Sequence, residues 1–163
     1  MKKKIEFASL MTPFEKDICE VPFSEYPRPA FKRDSYICLN GKWGFTVCKK
    51  NGKKTTDILV PFPPQSRISG AEYETDPSDT LIYKRSFSLP EGFNKGRVLL
   101  HFGAVDQHAE VYVNGKKAGS HSGGYLPFSF DITELLSVAG SMNELEVRCV
   151  DGMDRDLPYG NSE

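Results

Sequence analysis

The chain has 163 residues, 39% of them hydrophobic and 26% charged, and a net charge of −1 at neutral pH. This is the composition of an ordinary soluble globular domain with enough residues to bury its own core, and the near-neutral balance excludes the broad positive field that holds nucleic acid or an anionic membrane surface. No segment reaches the ~20 consecutive apolar residues that span a bilayer.

The chain opens with Lys2-Lys3-Lys4, a solvated terminus. The stretch from Ile5 to Thr12 is interrupted by Glu6 and stopped by Pro13, Glu15, Lys16 and Asp17, so it lacks the apolar core of a signal peptide. The expected location is therefore cytoplasmic. Cys19, Cys38, Cys48 and Cys149 form no CxxC pair and have no histidine at metal-ligand spacing. They read as free thiols, with one disulfide left open, and no metal site or cofactor is expected. Residues 1–35 read as an extended lead-in packed on the domain, since Tyr26-Pro27-Arg28-Pro29 cannot be helix interior.

Strand signals begin after Asn40-Gly41, where Trp43, Phe45 and Val47 alternate with small or polar residues. Asp57 to Val60 is a short strand ended by Pro61-Phe62-Pro63-Pro64, and residues 65–79 are a long polar loop. Thr80 to Leu89 is the next strand, with Tyr83, Phe87 and Leu89 on one face with Arg85, and Pro90-Glu91-Gly92 turns the chain. Val98, Leu100 and Phe102 alternate, as do Ala109, Val111 and Val113. Asn114-Gly115 tolerates the positive φ angles of a tight hairpin, and Lys116 to His121 is the return arm. Phe128, Phe130 and Ile132 share a face; Asp131 to Leu136 is the best helical candidate; Leu145, Val147 and Cys149 close the pattern against Glu144, Glu146 and Arg148. About eight short strands with frequent turn signals predict an all-β sandwich or barrel.

Tyr26-Pro27-Arg28-Pro29, Arg33, Leu39-Asn40-Gly41-Lys42-Trp43-Gly44-Phe45, Val60-Pro61-Phe62-Pro63, Tyr83-Lys84-Arg85-Ser86-Phe87 and His101-Phe102-Gly103-Ala104-Val105-Asp106 occur in the order found in one family. The most specific piece is Asn114-Gly115 followed by His121-Ser122-Gly123-Gly124-Tyr125-Leu126-Pro127-Phe128-Ser129-Phe130-Asp131-Ile132-Thr133. From residue 26 to about 158 the chain resembles the N-terminal sugar-binding domain of the family-2 glycoside hydrolases, the β-galactosidases, β-glucuronidases and relatives. The resemblance implies an all-β jelly-roll sandwich of the galactose-binding-domain-like type over residues 36–158, with 159–163 starting a linker. It also implies partner domains in the parent enzyme: an immunoglobulin-like sandwich and a (β/α)8 barrel that carries the catalytic glutamates. Such a barrel needs about 250 residues, so this chain reads as a piece of a retaining β-glycosidase beginning at its natural start methionine, inactive alone, in a parent that is itself a candidate homo-oligomer. Residues 159–163 depart from the basic stretch usual at this point in the family.

No catalytic residue is assigned. Glu144 and Glu146 stand at i and i+2 on one strand face and could mimic a carboxylate pair, yet that face is expected to be solvent-exposed. In the β-galactosidase branch the loop before the Tyr83 strand reaches substrate, which implies sugar-binding roles for Asp76, Ser78 and Asp79. Asp151, with Asp154 and Asp156, follows the last strand, where sandwich loops meet ligands. Tyr125 sits in an open loop suited to stacking on a sugar ring, whereas Trp43 is expected in the core; Tyr112 is a third aromatic that could stack on a sugar. His101 and His108 are scattered, and His121 is expected to make a structural hydrogen bond in its turn. The partner expected is carbohydrate, with no nucleic acid and no membrane. Two other readings stand beside this one: a self-standing carbohydrate-binding module, and a structural or oligomerisation domain.

Overall fold

The structure is a computed structural model that describes residues 18–26 and 33–150. Among these residues lie eight strands: β1 (Gly41–Lys49), β2 (Gly52–Val60), β3 (Thr80–Ser88), β4 (Leu99–Phe102), β5 (His108–Val113), β6 (Lys116–Ser122), β7 (Phe128–Asp131) and β8 (Met142–Val150). Six form an antiparallel sheet in the order β2-β1-β3-β8-β5-β6, and β4 and β7 pair as a second, two-stranded sheet. The fold is an all-β sandwich, as the alternating apolar pattern predicts.

The period of two builds the core row by row. Val47 lies opposite Leu81, Leu81 opposite Cys149, and Cys149 opposite Ala109. The next row runs Phe45, Tyr83, Val147, Val111. A third runs Arg85, Leu145, Val113. Phe45, Val111 and Val113 are fully buried, as is the small Ala109, and each of the three large side chains contributes about 1.5–3 kcal/mol by leaving water. The two-stranded sheet covers these rows with Leu100, Phe102, Phe128 and Phe130, and Val98 and Ile132 join from its ends. Arg85 shares the inward side of β3, and its guanidinium donates to the backbone carbonyls of Asn40 (2.7 Å) and Lys42 (3.4 Å) at the rim of the core.

Three local features differ from the sequence expectation. β2 starts at Gly52 rather than Asp57. Its first half, Lys53 to Thr56, shows no apolar alternation because it is the exposed outer part of an edge strand, held by its ladder to β1 and by the tight turn in which Lys49 faces Gly52. Lysines on such an edge also discourage pairing with another chain. Residues 65–79 contain a one-turn 3₁₀ helix, Arg67–Ser69, capped by the Ser66 hydroxyl accepting from the Ser69 N–H (3.2 Å). The helical candidate at 131–136 reduces to one 3₁₀ turn, Thr133–Leu135. There the Asp131 carboxylate accepts from the Thr133 hydroxyl and N–H, an Asx turn that competes with helix propagation.

The Asn114-Gly115 hairpin turn has φ of 51° and 76°, the double positive pair its sequence predicts. One extra residue, Ala118, bulges from β6 between the pairs Val111–Gly119 and Tyr112–Lys117. The lead-in touches the sandwich where Asn40 Nδ2 donates to the Pro22 carbonyl (2.9 Å) and Phe23 meets Phe62 with ring centroids 6.1 Å apart. Cys19, Cys38, Cys48 and Cys149 are free thiols. Among the described residues no helix is long and apolar enough to cross a membrane.

The outward face of the larger sheet carries a ladder of charges. Lys84 binds Glu144 (3.3 Å) and Glu146 (2.6 Å), Arg148 binds Glu146, and Lys117 binds Glu110. At the far side Asp131 takes Arg97 (2.8 Å). The Thr133 hydroxyl and N–H, with Arg97, hold the Asp131 carboxyl down at about 2. Lys117 and then Tyr112 lower Glu110. Burial pushes Glu146 up, but Lys84 and Arg148 outweigh it and the net shift is downward. Carboxyls depressed in the folded state bind fewer protons there than in the unfolded chain. Their stabilisation is therefore complete above the ordinary carboxylate range and is lost as pH falls through that range toward 2. Lys84, Lys117 and Arg148 are raised by the same pairs, so their share is present below their ordinary values and lost as pH climbs past them. The thermal midpoint is expected to fall between pH 4 and 2 in the wild-type chain, and by less in Asp131→Asn, which removes the group with the lowest value. Melting curves across that range check this; equal acid slopes in the two proteins would show that the Asp131 contacts do not persist in solution.

Candidate functional site

The register of the large sheet gathers one set of loops at a single end. Thr80 at the start of β3 pairs with Cys48 near the end of β1 and with Val150 at the end of β8. Val150 also faces His108, the first residue of β5, which faces Ser122, the last residue of β6. The β1–β2 turn, the loop ending at Asp79, the exit from β8, the loop 103–107 and the loop 123–127 therefore emerge side by side. Asp76, Ser78, Asp79 and Tyr125 all belong to this end. Asp151, with Asp154 and Asp156, lies outside the described residues, where the chain continues beyond Val150.

Three of these residues form one constructed corner. The Asp76 carboxylate accepts from the Ser78 N–H (2.9 Å) and hydroxyl (2.7 Å), and these two bonds lower its pKa. Asp79 is buried, and its Oδ2 accepts from the Tyr73 hydroxyl (2.7 Å) and the Asp76 N–H (3.1 Å). Asp79 thus braces the loop from beneath, while Asp76 and Ser78 are exposed at its tip. Tyr73 packs edge-on against Phe45 (centroids 6.4 Å), anchoring the loop to the core, and Lys49 Nζ lies 5.1 Å from the Tyr73 ring centre. Across from the loop, Lys49, Lys50 and Asn51 complete an open depression of about 210 Å³ with Asp76, Ser78 and Asp79.

Sequence reasoning passed over Tyr73 and the Lys49-Lys50-Asn51 side of this depression. The signal that was present is Asn51-Gly52 between lysine pairs, a hairpin turn followed by an edge strand. Tyr73→Phe is expected to cost about 1–3 kcal/mol, because it leaves the buried Asp79 carboxylate short of one charge-assisted bond. Urea unfolding of the variant checks this, and an unchanged midpoint would mean that Asp79 is solvated in solution.

Tyr125 stands apart from that corner. Strands β3 and β6 are three positions apart, so Thr80 and Ser122 are about 14 Å from each other at ordinary strand spacing. Tyr125 is 59% and Leu126 is 68% exposed, so the loop presents an aromatic and an aliphatic group outward. The loop is pinned from below. Gly123 N–H donates to the Gln107 carbonyl (2.7 Å), and a side chain at Gly124 would lie 2.3 Å from Asp106 Oδ1. The Asp106–Gln107 peptide is cis.

The remaining candidates resolve into structural roles. His121 does not make the expected hydrogen bond. Its ring stacks on Phe128 (4.2 Å, 15°), which stacks on Phe102 (4.8 Å), and its buried Nε2 has no partner among the described residues. The stacking on Phe128 keeps the ring beside the turn, with Nε2 4.0 Å from where a Cβ at Gly123 would lie, but brings it to no hydrogen-bond partner among the described residues. His108 and His101 pair with Ser122 (2.8 Å) and Ser129 (2.5 Å) across their strands. Glu144 and Glu146 share Lys84 and are not a free acid pair. The Tyr112 ring is covered by the Arg148 guanidinium at 4.5 Å, and Trp43 is 6% exposed in the core. A second open depression of about 400 Å³ lies between β6 and the smaller sheet, lined by Arg97, Lys117, Asp131 and Glu134 among others. Among the described residues no group of three or more His, Cys, Asp or Glu is placed to hold a metal ion.

Comparison with known proteins gives a consistent set of likenesses. The family described as glycosyl hydrolase 2 galactose-binding domain-like matches residues 66–160. A β-galactosidase from Thermoanaerobacter pseudethanolicus is 38% identical over 102 residues, covering 61% of this chain and 14% of its own. A β-glucuronidase from Paenibacillus borealis is 38% identical over 119 residues, covering 67% of this chain and 20% of its own. Among solved structures, the Bifidobacterium dentium β-glucuronidase complexed with coumarin-3-O-glucuronide superposes with a TM-score of 0.55 at 32% identity, over 69% of this chain and 19% of that one. The chain thus spans about a fifth or less of the length of these relatives.

Proposed function

The chain belongs to the glycosyl hydrolase 2 galactose-binding domain-like family, and from that premise we propose that it is a non-catalytic carbohydrate-binding domain of a retaining β-glycosidase. In this reading it forms one wall of an active site whose acid/base and nucleophile stand on a (β/α)8 barrel elsewhere in the parent, beside an immunoglobulin-like domain. One observation carries the reading: the strand register delivers Asp76, Ser78, Asp79 and Tyr125 to the same end of the sandwich, next to the strand exit that leads to Asp151.

The chemistry fits a wall rather than a reaction centre. Asp76 and Ser78 are exposed hydrogen-bonding groups on a loop held rigid by Asp79 and Tyr73, and fixed polar groups are what orient a sugar hydroxyl. Tyr125 offers a ring face of the kind that packs on the apolar side of a pyranose. The 210 Å³ depression beside the loop is open, and a second surface is needed to enclose a sugar. The division of labour is positioning by this domain and bond cleavage by the barrel.

The test has two arms. The purified chain should show no turnover of chromogenic β-galactosides or β-glucuronides, and clear hydrolysis by it would overturn the reading. Titration calorimetry with galactose and glucuronate should give no measurable heat for the chain alone; strong binding would favour a self-standing module instead. In the complete parent, Asp76→Ala should raise KM for the preferred glycoside about tenfold, the loss of one charge-assisted bond.

A further inference from the structure

The chain holds three Asn-Gly pairs, Asn40-Gly41, Asn51-Gly52 and Asn114-Gly115, and the structure treats them very differently. Asn40 Nδ2 donates to the Pro22 carbonyl at 2.9 Å in a partly buried setting. The Asn114 amide is held at both ends: Nδ2 donates to the Leu135 carbonyl (2.8 Å) and to Asn143 Oδ1 (2.8 Å), and Oδ1 accepts from the Glu144 N–H (2.9 Å). Asn51 is exposed at the tip of the β1–β2 turn, and its side chain makes no hydrogen bond among the described residues.

We propose that Asn51 is a site of spontaneous deamidation that switches the charge of the depression facing Asp76, Ser78 and Asp79. The Gly52 backbone nitrogen loses its proton and attacks Cγ of Asn51. A C–N bond forms, the Cγ–Nδ2 bond breaks, and ammonia leaves with the proton. Water then opens the cyclic imide at either carbonyl and yields aspartate or isoaspartate. Three features favour this site. Gly52 has no Cβ beside the attacking nitrogen, and a Cβ built there would meet nothing within 4 Å. The Asn51 amide is free to rotate into the attacking geometry. Lys49, Lys50, Lys53 and Lys54 surround the turn in sequence, and neighbouring positive charge stabilises a deprotonated amide nitrogen.

The product changes the site as well as the turn. Asn51 lines the depression with Lys49, Lys50, Asp76, Ser78 and Asp79. A carboxylate at position 51 brings a third acid to that rim and competes with Asp76 for Lys49 and Lys50, whose charges already act on Asp76. Isoaspartate also lengthens the backbone of a turn whose register allows two residues between Lys49 and Gly52. The chemistry stands whether or not the depression binds sugar.

The experiment ages the folded chain at neutral pH and physiological temperature, then digests it and follows each Asn-Gly peptide by mass spectrometry and by isoaspartyl methyl-acceptor assay. Asn51 is expected to convert at least about tenfold faster than Asn114 or Asn40, whose hydrogen bonds must first break. In denaturant the three rates should converge, and Asn51→Gln should abolish the early isoaspartate signal. Equal native rates at the three pairs, or an undiminished signal in Asn51→Gln, would overturn the proposal.

Discussion

Gly119→Ala is expected to destabilise the chain by about 1–3 kcal/mol, the range for forcing extra volume into a filled interior. A Cβ at this position would lie 2.2 Å from Cε1, 2.5 Å from Cδ1 and 2.8 Å from Cζ of Phe130. The ring cannot simply swing aside, because Phe130 packs against Phe128 (5.5 Å) within the smaller sheet. Gly119, beside the bulge at Ala118, is therefore a point of close approach between the two sheets, and the missing side chain is what admits the ring. Equilibrium unfolding in urea measures the loss. The pair Gly119→Ala with Phe130→Leu should recover part of it, because the smaller side chain yields the space, whereas an additive double variant would show that the ring does not sit over the glycine.

Asn114→Ala is expected to cost more, about 2–4 kcal/mol. Two effects combine. At φ 51° the backbone is left-handed, where alanine is disfavoured by about 1–2 kcal/mol. The amide also ties three segments together: the hairpin tip, the 3₁₀ turn through the Leu135 carbonyl, and the start of β8 through Glu144 N–H and the buried Asn143. Losing it strands polar groups at about 1–3 kcal/mol for each one that water cannot reach. Asn114→Gly separates the terms: it relieves the backbone strain while still losing the bonds, so it should be milder than alanine and well below wild type. If glycine equals wild type, the hydrogen bonds are not contributing.

The core and the hairpins were legible because each rests on a local rule. Trp43, Phe45 and Val47 alternate, and Asn114-Gly115 admits only a narrow set of turns, so β1 and the β5–β6 hairpin follow directly. The first half of β2 was not legible. Lys53-Lys54-Thr55-Thr56 is a strand only because β1 offers it a ladder, a tertiary cause with no trace in its own hydropathy. The short helical candidate at 131–136 shrinks to one 3₁₀ turn because the Asp131 carboxylate closes an Asx turn on Thr133, a side-chain choice that the residue order alone does not reveal. At the candidate site, Asp76, Ser78 and Asp79 could be placed on one loop from sequence. That Asp79 is a buried brace and Asp76 an exposed tip could not, since both are aspartates in a polar run. Tyr73 and the lysine turn come together with them only through the pairing of β1 with β3.

The position of Cys149 has a practical corollary. It occupies the middle of the large sheet between Leu81 and Ala109, 3% exposed, and burial drives its thiol up to about 12. A sulfur so protonated and so enclosed does not meet an alkylating reagent while β3, β8 and β5 stay zipped. Its labelling rate is an internal clock for the opening of the central strands, separable by peptide mapping from the exposed Cys19 and readable in any mixture in which the domain is one component among many.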